Sequence, residues 1–338
     1  MILDGLDEKS IASAADAIRD GELVGLPTET VYGLGADADN EVAIAKIFTA
    51  KGRPADHPLI VHVRDAASVA HFASRLPDFA AALIDAFWPG PLTLILTRQK
   101  GVAAAAAGAQ DSIGLRCPSH PVAQALLKAC HELGVQGIAA PSANLFGRVS
   151  PTTAQHVEGE FGADLLILDG GPCRVGIEST IIDCTRGAPV LLRPGAVSRE
   201  QAQAVCGCKV LLKEETFALD MPMPRASGTL ASHYAPNAKL RLMDAQALQT
   251  ALDILSRDID ANSGSPVIAT YSRAVLTTRS GTVLRKRMPD DASATAQQLF
   301  AVLREFDAQG VKLIWVEAPP ESPEWDGVRD RLQRAATH

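Results

Sequence analysis

No stretch of the 338 residues approaches the roughly 20 consecutive apolar residues needed to cross a bilayer, although 47% of the chain is hydrophobic. This argues against insertion in a membrane. The first ten residues, MILDGLDEKS, are acidic and lack the basic start and apolar core of a signal peptide, so a cytoplasmic location is expected. Also missing is any CxxC pair or Cys/His block. Cys117, Cys130, Cys173, Cys184, Cys206 and Cys208 therefore read as reduced, mostly buried thiols, neither a disulfide framework nor a metal centre. Cys206 and Cys208, one glycine apart, are the single local oddity and could bind a metal or oxidise.

An excess of positive charge is absent as well. Residues 1–206 carry 16 Lys and Arg against 23 Asp and Glu, and residues 207–338 carry 16 of each. That balance disfavours general coating of RNA, which needs clustered cations, and leaves only a local basic concavity open. No GxxxxGK[ST] sequence occurs, which excludes a P-loop. Gly33, Gly35 and Ala38 satisfy GxGxxA formally, but the hydroxyl-rich run Thr28 to Tyr32 stands where a dinucleotide fold needs an apolar strand.

The length exceeds the usual 100 to 200 residues of one domain and points to two. Helical spacing marks Ile11–Ile18, Val42–Phe48, Val122–Leu133 and Ala202–Val205. Short β-rich runs alternate with them at Leu23–Leu26, Leu59–Val63, Leu92–Leu96, Ile113–Arg116, Ile138–Ala140, Leu165–Leu168 and Ser179–Asp183. Residues 165–192 look like successive strands without a helix, so the expected fold is α/β with a mixed, twisted sheet. The alanine run 103–107 is expected to be a tolerated surface insertion. A Pro- and Gly-bearing linker over 209–238 separates a domain at 1–208 from a smaller Rossmann-like α/β domain at 239–338. In that smaller domain, strands at Leu240–Met243, Val267–Thr270 and Lys312–Val316 alternate with helices at Ala245–Ile259 and Ala294–Phe306. A terminal helix carries Trp325, Val328 and Leu332.

Chemistry concentrates in loops of the first domain. PTETVYGLG, residues 27–35, packs three hydroxyls, a carboxylate and two glycines between apolar runs, and suits a small polar ligand. KGRPADHPLIVHV follows at 51–63. Lys51 and Arg53 would point the same way on an extended segment and clamp a phosphate or carboxylate, or equally serve as solvated cations at a helix C-terminus. His57 precedes a proline, and His62 is either a site residue or a satisfied core histidine. Ser112 to Pro118 with Arg116, PSAN at 141–144 followed by Ser150, and IEST at 177–180 with Arg193 afterwards repeat the theme at strand ends, where α/β sheets gather ligand groups.

PTETVYGLG, KGRPADHPL, SIGLRCP, APSAN, GIEST and LLRPG, in that order, resemble the L-threonylcarbamoyladenylate synthases of YrdC type in their two-domain form. HYAP at 233–236 resembles that family's linker signature, although this chain reads ASGTLASHYAP where the commoner pattern is SPGMKYxHYAP. The resemblance implies a YrdC-like first domain that condenses L-threonine, bicarbonate or carbon dioxide, and ATP to threonylcarbamoyl-AMP and pyrophosphate. The product would pass to a tRNA threonylcarbamoyltransferase, with room for weak direct contact with tRNA. Carried over by motif, Lys51 and Arg53 are catalytic. Thr30, His62, Arg116, Ala140 and Ser179 or Thr180 take threonine. Arg53, His57, Ser112, Ser142, Asn144, Ser150, Arg193, His233 and Tyr234 take ATP. Magnesium would arrive with ATP, without a dedicated protein cage. Two rival readings stay open: an RNA-binding surface built on Lys51, Arg53, Arg116, Arg148 and Arg193, or another carbamoyl- or adenylyl-transfer enzyme.

Overall fold

The computed structural model describes residues 1–216, 223–230, 233–258, 268–274, 276–278, 281 and 283–337. They fall into two compact units, Met1–Phe146 with Ser150–Thr229, and Gly147–Val149 with Leu230–His338.

The first unit begins with strand β1 (Ile2–Asp4), helix α1 (Glu8–Arg19), β2 (Val24–Leu26), β3 (Gly33–Asp37), α2 (Glu41–Lys51) and β4 (Ile60–His62). It continues with α3 (Val69–Phe72), α4 (Asp78–Phe87), β5 (Leu92–Thr97), β6 (Ser112–Arg116), α5 (Pro121–Glu132) and β7 (Ile138–Ala139). Then come α6 (Ala154–Phe161), β8 (Leu166–Asp169), β9 (Thr180–Asp183), β10 (Val190–Arg193), α7 (Arg199–Cys206) and β11 (Leu211–Leu212). The strands lie in the order β1-β8-β2-β3-β7-β4-β6-β5-β9-β10-β11. Parallel pairs such as β4/β6 alternate with antiparallel pairs such as β5/β6 and β9/β10, giving a mixed sheet.

Capping fixes where the helices start and stop. Asp7 accepts the Ser10 amide at the head of α1, and Arg19 sits in its last turn, where the helix dipole favours a cation. Ile11, Ala14, Ala15 and Ile18 form its buried stripe and meet Val122, Leu126, Leu127 and Cys130 of α5 in one core cluster. Asn40 caps α2, and Gly52 ends it in the left-handed conformation at φ 61°. Ile44, Ile47 and Phe48 of α2 join Leu83 and Ile84 of α4 and Val61, Leu94 and Leu115 of the sheet in the largest cluster. Each such side chain contributes about 1.5–3 kcal/mol when fully buried.

Side-chain alternation along the central strands separates core from site. Val61 of β4, Ile113 and Leu115 of β6, and Leu92, Leu94 and Leu96 of β5 face that core. The intervening residues, Ile60, His62, Ser112, Gly114, Arg116, Thr93 and Ile95, turn to the opposite face. There the register pairs Ile60 with Gly114, His62 with Arg116 and Thr93 with Ile181.

Several expectations need correction. Lys51 and Arg53 do not lie on an extended segment, because the helix runs through Lys51 and turns at Gly52. The alanine run is not a surface insertion: Ala103, Ala106 and Ala107 are buried, and the Ala106 carbonyl accepts the Leu59 amide at 2.8 Å. β3 begins inside the segment read as a loop, at Gly33, and runs to Asp37. Its glycines serve packing, since a Cβ at Gly35 would stand 2.7 Å from Leu26 Cδ2 and 2.9 Å from Ile138 Cγ2. Helices α4 and α6 had no sequence expectation.

The second unit holds β12 (Lys239–Met243), α8 (Ala245–Asp258), β13 (Ile268–Ser272), β14 (Val283–Arg287), α9 (Ala292–Ala308), β15 (Leu313–Glu317) and α10 (Asp326–Ala335). Its sheet has the order β12-β15-β13-β14, and every pair is parallel. β14 was not expected because LRKR lacks apolar alternation; an edge strand tolerates such charge. Buried Trp325 stands just before α10, in a 3-10 turn. Ile259, Val267 and the linker stretches 217–222 and 231–232 lie outside the described residues.

Gly195 ties this scaffold to the site, because a Cβ there would lie 2.5 Å from the Thr180 amide nitrogen and 2.9 Å from the Glu178 carbonyl oxygen. Backbone cannot yield cheaply at such distances. Gly195→Ala is expected to lose about 1–3 kcal/mol of unfolding free energy in urea, and an unchanged midpoint would contradict the tight packing.

Candidate active site

The open face of β4, β6, β5 and β9 floors a narrow cleft with Ile60, Thr93, Ser112, Gly114, Ile181 and Ser227 in its lining. The ligand groups were expected at strand ends, but they spread over this face as well as the loops around it. Two adjoining polar groups result.

The first centres on Arg116, at the end of β6 and only 4% exposed. Its Nη1 donates to Thr30 Oγ1 at 2.7 Å, its Nε to the Gly90 carbonyl at 3.3 Å, and its Nη2 pairs with Glu29 Oε1 at 2.6 Å. Thr28 Oγ1 shares a hydrogen bond with Thr30 Oγ1 at 2.8 Å and accepts the amides of Thr30 and Val31, which folds PTET into a tight turn. His62 lies beside Arg116 in register, and its buried Nδ1 has no hydrogen-bond partner among the described residues. Burial, reinforced by the Arg116 charge, pulls the imidazole down to about 3. The ring is neutral at physiological pH and offers one donor and one acceptor. Ala140 follows β7, its amide donating to the Ile60 carbonyl at 3.0 Å.

The second group gathers cations. Arg193, at the end of β10, donates from Nε to the Ser179 carbonyl at 3.0 Å, from Nη2 to Ser179 Oγ at 3.1 Å and from Nη1 to the Ser227 carbonyl at 3.0 Å. Ser179 Oγ also meets Thr93 Oγ1 at 2.7 Å. Arg53 reaches the Pro58 carbonyl at 2.9 Å and Ser227 Oγ at 3.4 Å, and its guanidinium stands 5.5 Å from the centre of the Phe146 ring. His57 packs edge-on against the same ring at 5.4 Å; partial burial and the Arg53 charge lower its pKa. Lys51 Nζ donates to the Ser142 carbonyl at 2.5 Å and to the Asn144 carbonyl. Its full burial, with Arg53 nearby, brings the ammonium down to about 7. Ser150 Oγ donates to Glu178 Oε1 at 2.5 Å. Backbone bonds from Ala143 to Tyr32, at 2.8 Å, and from Tyr32 to Pro151, at 2.9 Å, stitch the PSAN and Ser150 loops to PTETVYGLG.

Ser179 and Thr180, between which the sequence left a choice, are placed differently. Thr180 Oγ1 donates to the Val197 carbonyl at 2.7 Å and accepts the Val197 amide at 3.1 Å, so it fastens β9 to the loop after β10. Ser179 is the hydroxyl held in the polar cluster. His233 and Tyr234 belong to the second unit, where Tyr234 adopts φ 62° and its ring stacks on Phe300 at 5.5 Å. Glu29, Thr93, Glu178 and Ser227 escaped the sequence reading as site residues. Thr93 carried a usable signal, being the one polar residue inside the apolar run LTLIL.

Comparison with known proteins agrees with this architecture. Residues 16–195 match the Sua5/YciO/YrdC family, described as telomere recombination, and residues 197–337 match the threonylcarbamoyl-AMP synthase C-terminal domain. The threonylcarbamoyl-AMP synthase of Pyrococcus abyssi is 38% identical over 98% of this chain and 95% of its own length. That of Bacillus subtilis is 36% identical over 98% and 94%. The crystal structure of P. abyssi Sua5 complexed with L-threonine superposes with a TM-score of 0.87 at 34% identity, covering 100% of this chain and 98% of that one. The chain belongs to the two-domain threonylcarbamoyl-AMP synthase family.

The neutral state of His62 has a measurable consequence. Between pH 6.5 and about 3 the unfolded chain protonates this residue while the folded chain resists, so stability falls as pH drops through that window. In His62→Gln the unfolding free energy is expected to fall less steeply there. Parallel slopes for the two proteins would show that the imidazole does not oppose protonation.

Proposed function

We propose that this chain condenses L-threonine, bicarbonate or carbon dioxide, and ATP to threonylcarbamoyl-AMP and pyrophosphate, serving threonylcarbamoyl-adenosine modification of tRNA. The observation that carries the reading is the adjacency of a hydroxyl- and guanidinium-lined pocket to buried cations on one sheet face. In this reading Arg116 takes the threonine carboxylate. Thr30, His62, Ser179 and the wall at Ala140 surround the rest of the amino acid. Arg53, Arg193, Ser142, Ser150 and Ser112 take ATP, and Asn144 holds its loop through Lys51. His57 closes one side, and His233 and Tyr234 complete the nucleotide set implied by the linker motif.

The threonine amine adds to carbon dioxide and loses a proton, giving an N-carboxylate. One oxygen of that carboxylate forms a bond to the α-phosphorus of ATP while the bond from phosphorus to the pyrophosphate oxygen breaks, so pyrophosphate leaves. No protein nucleophile is needed; the guanidiniums stabilise the gathering negative charge. Lys51 braces the PSAN carbonyls that shape the phosphate side. Magnesium would enter on the ATP phosphates. The product then passes to a tRNA threonylcarbamoyltransferase. No helix among the described residues is long and apolar enough to cross a membrane, and the proposed setting is the cytoplasm.

Pyrophosphate release from ATP and bicarbonate, measured with and without L-threonine, tests this reading. Release is expected to require threonine and to fall about 100-fold or more in Arg53→Ala and Lys51→Ala. Threonine-independent release, or salt-sensitive RNA binding without turnover, would replace the proposal with one of its rivals. Serine, lacking one methyl, is expected to be about 10- to 200-fold poorer in kcat/KM, and equal turnover would exclude a methyl-reading pocket.

A further inference from the structure

Arg116 faces a buried carboxylate at ion-pair distance, and that carboxylate does more than balance charge. Glu29 is 4% exposed. One of its oxygens meets Arg116 Nη2 at 2.6 Å, while the other accepts the Ser119 amide at 3.1 Å, just before α5. Its own carbonyl accepts the Val175 amide at 2.7 Å. Apart from Arg116, Glu29 is thus held at its second carboxylate oxygen and at its main-chain carbonyl, which limits how far it can follow the guanidinium. Thr30, the next residue, holds the neighbouring Nη1 at 2.7 Å. Thr30 thus supplies a directional hydrogen bond to one fork nitrogen, and Glu29 holds the other by charge at close contact, outside hydrogen-bond geometry.

A guanidinium donates in a fixed planar geometry, so its orientation decides whether a carboxylate can engage it with two parallel bonds. An arginine on a flexible stem would sample several orientations and bind more weakly for the entropy lost. We propose that Glu29 is a positioning residue that locks Arg116 in the orientation required to receive the α-carboxylate of threonine. This rests on the reading of Arg116 as the threonine residue. The arrangement trades strength for direction, because the Glu29 charge offsets part of the attraction that Arg116 exerts on a second carboxylate.

The test compares Glu29→Gln, Glu29→Asp and Arg116→Lys in the full-length chain, measuring KM for threonine, KM for ATP, kcat and the thermal midpoint. Misorientation of a binding group can cost on the order of 100-fold, so Glu29→Gln is expected to raise the threonine KM about 10- to 100-fold with the ATP KM within about 2-fold. Glu29→Asp keeps the charge on a shorter stem. It serves where the glutamine variant does not fold, and is expected to raise the threonine KM about 3- to 10-fold. Arg116→Lys separates the two claims. If it raises the threonine KM while neither Glu29 variant does, the positioning role is overturned and the site reading stands. If it leaves the threonine KM unchanged, the assignment of Arg116 falls and the proposal falls with it. Parallel rises in both KM values for the Glu29 variants would assign Glu29 to general structure and overturn the positioning role.

Discussion

Four cations, Lys51, Arg53, Arg116 and Arg193, are buried in one unit to between 2% and 7% exposure, and the architecture of that unit answers the cost of placing them there. A charge removed from water must be met by oriented dipoles or by an opposite charge. Lys51 lies against the carbonyls of Ser142 and Asn144, Arg53 against that of Pro58, and Arg193 against those of Ser179 and Ser227. Carbonyl oxygens orient a cation without cancelling its charge. Arg53 and Arg193 thus lend positive charge to the side proposed for phosphate, while Lys51, brought down to about 7 by burial, carries its charge only in part at neutral pH.

Satisfying cations in this way demands loops whose carbonyls turn inward, and the short polar motifs supply them. PSAN presents two carbonyl acceptors, those of Ser142 and Asn144, to Lys51, and its backbone is held by Tyr32 and Gly33 of the neighbouring loop and strand. Gly52 matters for the same reason: its left-handed turn ends α2 at Lys51 and sends Arg53 back over the sheet. Gly195 lets the segment after Arg193 pass against the backbone of residues 178–180. Fold and site are therefore constrained by the same few backbone approaches.

These constraints explain what was legible in the sequence. Loops with dense hydroxyl, cation and glycine content stood out, and the structure brings Thr30 and His62 to Arg116, and Ser179 to Arg193, at hydrogen-bond length or in direct register. The central strands were equally plain, since β5 and β6 are apolar on one face and fully paired. The face of the sheet as the site floor was not legible, because Ser112, Gly114 and Arg116 alternate with core residues and look like an ordinary half-exposed strand. Ala103–Ala107 misled for a complementary reason: small residues give no amphipathic signal, yet they fit where β4 and its preceding loop need close backbone contact. Glu29 was hidden by its company. A lone acidic residue among hydroxyls reads as solvated until its partner, 87 positions later in the chain, is placed against it.

The division between the two sides of the cleft follows from how each charge is matched. Arg116 is neutralised in part by Glu29, beside a His62 that burial keeps uncharged, so this side offers direction and hydrogen bonding with little net field. Such a surface suits a zwitterion, whose carboxylate and amine make opposing demands within a few ångströms. Arg53 and Arg193 meet carbonyl and hydroxyl oxygens among their described contacts, an arrangement that suits a polyanion. Ser179 stands at the boundary, bonded to Arg193 through its hydroxyl and held by Thr93 on the sheet face. An N-carboxylate formed on the amino acid would lie near that boundary with its negative charge drawn toward the cations. In the proposed reaction, that difference in charge matching across a single sheet face would align the attacking oxygen with the phosphates, without any residue acting as a covalent intermediary.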